Sequence, residues 1–169
     1  QTYLDSCFLY YDAEISNPHL NFLQFEKAYL LSKKQKNEEA LDLFESITPW
    51  MKKNKPSYQV LLYTYMGDNF MAMNRYDKSV DYYKRAIEIA SIYNAHIDFT
   101  PLIHHNLSTA LNFQGKHAEA YEQLELASKL SDKFFDSRSL NNAPFLEIQD
   151  AYREQQERQE RLIQQQKLT

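Results

Sequence analysis

Five histidines, one cysteine and 23 carboxylates are the side chains here that could carry acid-base, nucleophilic or metal chemistry. His104-His105 is the one adjacent histidine pair, and neighbours on a helix point to different faces, so the two cannot close on one ion. On the helical pattern around them, His104 takes an inward position and His105 an outward one. His19, His96 and His117 stand near the ends of expected elements, where capping and surface roles are the default. Cys7 has no second cysteine to pair with and no base beside it, and reads as a small apolar residue. The carboxylates alternate with Lys and Arg, as on a solvated helix face. No G-x-S-x-G, H-E-x-x-H or glycine-rich phosphate loop occurs, and two glycines, Gly67 and Gly115, could not build such a loop. No catalytic residue, cofactor or metal ligand is expected. The chain reads as a binding protein.

The elements that would present a binding surface are clearest between Tyr63 and Ile89, where two amphipathic helical patterns meet across Asn74-Arg75. Tyr63, Met66 and Phe70 line one helix at three- and four-residue spacing, and Val80, Tyr83, Ala86 and Ile87 line the other. Gly67 lies in mid-helix, where glycine costs about 1 kcal/mol against alanine. A residue kept at that cost marks a close approach of another element. Small residues recur at matching places, about 39 positions earlier at Ala28 and about 41 later at Ser108. Each is followed by the same kind of second half: Ala40-x3-Phe44 then Ile47, Ser79-x3-Tyr83 then Ala86, and Ala120-x3-Leu124 then Ala127.

This spacing resembles the tetratricopeptide repeat (TPR), with Tyr63 as aromatic opener, Met66-Gly67 as the Leu-Gly step, Phe70 as the next aromatic, and Ser79 to Tyr83 as the A-x3-F step. The resemblance implies an all-α, TPR-like α-solenoid of about three helical hairpins, at about 21–52, 56–93 and 100–132, with an N-terminal helix before and a long C-terminal helix after. It also implies a groove lined by the first helix of each hairpin, suited to a peptide or partner protein. The groove positions would be Phe22, Phe25, Tyr29 and Lys33 in the first repeat, and Leu61, Thr64, Asp68 and Met71 in the second. In the third they would be Leu102, His105, Thr109 and Asn112. Chaperone-binding members of the family clamp an acidic peptide terminus with Lys, Arg and Asn at such places. Phe25, Tyr29, Thr64 and Asp68 stand here instead, so an apolar or helical ligand is the better expectation.

Composition agrees with a helical binding module. With 43% apolar residues, 25% charged and only 2 Gly, 169 residues suffice for one domain with a real core. The net charge of −4 is too small and mixed to expect a nucleic-acid surface. The 13 Tyr and 10 Phe are mostly packing residues. No apolar run approaches a membrane span. Breaks are expected at Asn17-Pro18, Lys33 to Asn37, Thr48-Pro49-Trp50, Asn54 to Pro56, Thr100-Pro101 and Gly115.

Residues 1–142 read as the repeat domain, with a helix over Gln1 to Glu14, and 143–169 as a capping and connector helix. Phe145, Leu146, Ile148, Ala151 and Tyr152 would cover the last hairpin. Arg153 to Arg161 carries no apolar side chain, only the favourable pairs Glu154 with Arg158 and Glu157 with Arg161. The order of repeats, SDKFFDSRSL and FLEIQDAYREQQERQERL resembles the sensor regions of Bacteroidetes-type regulators, where divergent repeats lead through a Tyr-Glu-rich helix to a membrane span and an output domain. That resemblance implies the periplasmic part of a membrane-anchored signalling protein; a cytoplasmic scaffold is the alternative. A homodimer through the C-terminal helix is a separate expectation.

Overall fold

The computed structural model describes residues 18–138 and Arg161. Six α-helices follow one another: α1 Pro18–Lys33, α2 Asn37–Asn54, α3 Gln59–Ala72, α4 Tyr76–Tyr93, α5 Thr100–Phe113 and α6 His117–Arg138. Short 3₁₀ turns, Pro56–Tyr58 and Ile97–Phe99, fill the joins before α3 and α5, and there is no strand among the described residues. α1 packs on α2 and α3 on α4, while α2 against α3 and α4 against α5 stack successive hairpins. The expected helices over Gln1 to Glu14 and, apart from Arg161, 143–169, and with them Cys7 and the proposed dimer contact, lie outside the described residues. The chain divides into two compact units, Gln1–Leu130 and Ser131–Thr169; the second is described only over 131–138 and at Arg161.

The same backbone device makes all three hairpin turns. Gln35, Asn74 and Gly115 adopt left-handed conformations, with φ of 60°, 58° and 76°. After each, an amide donates back to a carbonyl near the end of the first helix: Lys36 N to Leu31 O at 3.0 Å, Arg75 N to Phe70 O at 2.9 Å, and Lys116 N to Leu111 O at 3.0 Å. These bonds occupy carbonyls that the helix end would leave free. The second helix then starts at once, Ala40 N, Ser79 N and Ala120 N donating to Lys36 O, Arg75 O and Lys116 O. The turns thus share the spacing of Ala28, Gly67 and Ser108.

Those three small residues are all buried, as are Ala40, Ser79 and Ala120. An ideal Cβ on Gly67 would stand 2.6 Å from Cε1 of Tyr83, so the absent side chain is the space that the tyrosine ring fills. Phe44 and Tyr83 are core residues at equivalent places in α2 and α4, whereas Leu124 in α6 is exposed; α6 buries Ala120 and Ala127 instead. α2 does not stop at Thr48-Pro49-Trp50 but runs on to Asn54. Proline removes one N–H and crowds the carbonyl four residues back, yet the helix is continuous through it; beside it Thr48 Oγ1 donates to Phe44 O at 2.7 Å, and Trp50 is held edge-on to Phe22 with centroids 5.6 Å apart.

Candidate functional site

The first helices α1, α3 and α5 lie side by side, and polar side chains join them. Asn69 Nδ2 on α3 donates to Ser32 Oγ on α1 at 2.7 Å and to Tyr65 O at 2.7 Å. Ser32 Oγ in turn donates to Ala28 O at 3.1 Å. On the other flank of α3, Asn106 Nδ2 of α5 donates to Asp68 Oδ1 at 3.1 Å, and the Tyr83 hydroxyl of α4 donates to the same oxygen at 2.7 Å. Asp68 is therefore fixed by three helices: its own, the α4 ring that fits over Gly67, and α5.

Both of these hydrogen bonds end on Oδ1, and among the described residues no donor or ion-pair partner reaches Oδ2. Burial pushes the Asp68 carboxyl above its usual range, outweighing the opposing pull of Tyr83, Asn106 and Lys33. Burial, then the Asp68 charge and the hydrogen bond to it, push the Tyr83 phenol far up. Lys33 is the cation that Asp68 feels, but its ammonium lies over the Tyr29 ring, 5.1 Å from the centroid. Tyr29 meets Tyr65 at 4.9 Å. Burial raises the Tyr65 phenol, and Tyr29, Asp68 and Glu26 add to the effect. Tyr29, Tyr65 and Asp68 are all part-exposed on the α1–α3–α5 face.

Of the residues expected to line a groove, the structure brings together Tyr29, Lys33 and Asp68. Leu61 and Met71 are partly buried against the core. Phe22 turns to the join, edge-on to Trp50 and Tyr58, both at 5.6 Å. Leu102 and His105 are exposed, Thr109 Oγ1 donates to His105 O, and Asn112 Oδ1 is bonded by His117 Nδ1 at 2.8 Å across the last turn. Phe25 and Thr64 are corrections: both are buried and offer a partner nothing. Phe25 packs between Phe44 and Tyr65, at 5.7 and 5.8 Å. Thr64 can be interior because its hydroxyl is satisfied within the helix by Val60 O at 2.7 Å.

The residues missed are one position further on. Glu26, Tyr65 and Asn106 stand in the same column at the repeat spacing, directly after Phe25, Thr64 and His105. The signal was present, since none of the three is aliphatic. His104 does lie inward, donating from Nδ1 to Gln123 Oε1 at 2.8 Å.

A concavity of about 620 Å³ sits elsewhere, at the hairpin turns, lined by Asn74, Arg75, Tyr76, Asp77, Lys78, Gln114 and Lys116. Tyr76 stacks on Phe113 at 4.9 Å there, and Gln114 Nε2 donates to Asp77 Oδ1 at 2.8 Å. It joins the second turn to the third.

Comparison with known proteins follows the same lines. Residues 58–133 match the tetratricopeptide repeat family model. No curated protein matches the chain significantly. Among solved structures it is similar to Bacillus thuringiensis PlcR, crystallised in complex with the peptide PapR7 and DNA, with a TM-score of 0.63 and 15% identity. That match covers 83% of this chain and 52% of the PlcR chain, so this chain spans about half the length of its structural relative. The three hairpins therefore form an all-α, TPR-like helical-repeat fold, with the tetratricopeptide match itself resting on residues 58–133.

Proposed function

We propose that this chain is a protein-interaction module that holds a peptide or partner helix on its α1–α3–α5 face and serves as the sensing part of a larger signalling or transcription-regulating protein. The observation that carries the reading is the part-exposed set Tyr29, Tyr65 and Asp68, with Asp68 held by three helices. Aromatic rings supply contact area at small entropic cost, and a pre-fixed polar group supplies orientation. PlcR, which shares the fold, was crystallised with both a peptide and DNA. A match to about half of that chain suits an array serving as one part of a longer protein. The net charge of −4 argues that DNA is not what this segment holds.

The test is selection of peptides from a displayed random library on the whole chain. Selected peptides should lose most of their affinity for a Tyr29→Ala plus Tyr65→Ala variant that keeps its helical circular dichroism. A library yielding no binder, or binders indifferent to both changes, removes the binding face. The sensing role is decided by the gene: a membrane span with a kinase pattern, or a helix-turn-helix pattern, following Thr169 supports it, and further repeats support a scaffold.

A further inference from the structure

From the geometry around Asp68 we infer that the face is selective for a peptide carrying a basic side chain, with the arginine or lysine nitrogen seated on Asp68 Oδ2 beside the Tyr65 ring. This rests on the binding reading above and gives it a chemical class. The carboxylate is oriented before any ligand arrives, since Tyr83 and Asn106 both hold Oδ1 and, among the described residues, Oδ2 has no partner. A half-buried carboxylate without an ion pair is poorly compensated, and a cation docking there supplies the missing compensation. Charge complementarity favours this occupant over the alternatives. Glu26 and Asp68 both lie close enough to act on the Tyr65 phenol, and these two carboxylates would repel an acidic peptide. A purely apolar one would cover Asp68 and leave it unpaired. A guanidinium or ammonium meets the carboxylate at its end and an aromatic ring along its side, an arrangement worth more when water is excluded.

Lys33 is the charged group that competes. Its ammonium rests over Tyr29 and not on the carboxylate, so a ligand can take the oxygen without first breaking an ion pair. Removal of that ammonium should strengthen binding of a basic peptide.

The experiment uses two displayed random libraries, one with free amino termini and one N-acetylated, selected on the whole chain. The expected result is enrichment of Arg or Lys at one position in both. A selected peptide should bind about 10- to 100-fold more weakly to Asp68→Asn, which keeps an acceptor for Tyr83 and Asn106. With the wild-type chain, changing that peptide's arginine to citrulline should weaken binding to the same extent, and this arm depends on no protein variant. Lys33→Ala should bind the basic peptide several-fold more tightly. Peptides that bind without an enriched basic residue, or that bind Asp68→Asn and wild type alike, overturn this inference and leave the binding face standing. Enrichment confined to free amino termini overturns it in favour of a terminal amine. If neither library yields a binder, the binding reading fails and this inference with it.

Discussion

Placing a methyl group on Gly67 tests the architecture at the point where stacking and site meet. Gly67→Ala in an exposed helix would gain about 1 kcal/mol from backbone propensity. Here the new Cβ would stand 2.6 Å from Cε1 and 2.8 Å from Cδ1 of Tyr83. The ring is 1% exposed and its hydroxyl is held by Asp68, so it has nowhere to swing. Overpacking of this kind costs about 1–3 kcal/mol. If the ring moves, the hydrogen bond to the carboxylate, worth about 1.5–3 kcal/mol, goes with it. The net expectation is a loss of about 1–4 kcal/mol, and Gly67→Leu should lose more. The decisive measurement is a double-mutant cycle by urea denaturation followed by circular dichroism. In a Tyr83→Leu background Cε1 and Cζ are gone and the branched side chain can turn aside. Gly67→Ala should then be neutral or stabilising by up to about 1 kcal/mol, leaving a coupling of about 1–5 kcal/mol between the two positions. A wild-type background that tolerates Gly67→Ala, or an equal loss in both backgrounds, would refute the claim that the glycine exists to seat this ring.

Asp68→Asn should raise the melting temperature at neutral pH. The folded-state pKa of Asp68 lies above its ordinary 3.8, so its contribution to stability is fully present below the unfolded value and is lost as pH rises through the folded one. The variant's advantage should therefore shrink as pH falls and vanish below about 3.8; an advantage constant with pH would contradict the burial argument. Ser79→Ala should stabilise by about 0.5–2 kcal/mol in urea. Its hydroxyl is buried and makes no hydrogen bond of normal geometry, although the Tyr83 phenol is close enough to sense it, and alanine already fills the equivalent places at 40 and 120. Gln35→Gly should stabilise by about 0.5–1 kcal/mol, because a left-handed φ strains glutamine, and Gly115→Ala should cost about 1 kcal/mol although nothing lies within 4 Å of the added carbon. Opposite signs at these matched turns, read from urea midpoints, would check that the three hairpins share one closure.

The repeat was legible because its strongest requirements are steric. Ala28, Gly67 and Ser108 must be small where hairpins press together, and a missing side chain is conspicuous in a sequence. The shared turn is half legible. Gly115 and Asn74 are residues that tolerate left-handed backbone, but Gln35 is not, and only its place in the period identifies it. What the pattern could not resolve was the rotation of the first helices. One residue turns the exposed face by roughly 100°, and in these helices the apolar stripe adjoins the binding stripe without a gap. Phe25 and Thr64 therefore looked as suitable as Glu26 and Tyr65.

The remaining obscurity has a chemical origin. Sequence patterns assign polar side chains to solvent, and two devices here defeat that rule. Thr64 is interior because its hydroxyl returns to Val60 O, and Asn69 is interior with its Nδ2 bridging Ser32 and Tyr65 O, although its buried Oδ1 meets no donor among the described residues. Asp68 is a third case with a different ending: its oxygen Oδ1 is satisfied by partners 15 and 38 residues away, and Oδ2 meets no donor among the described residues. A carboxylate that the fold both desolvates and leaves half-paired contributes little to stability, as the expected gain from Asp68→Asn expresses. Partners drawn from two other helices orient it all the same. A group held in place at a cost to the fold, beside the part-exposed rings of Tyr29 and Tyr65, is what a site of recognition requires and what a packing residue does not.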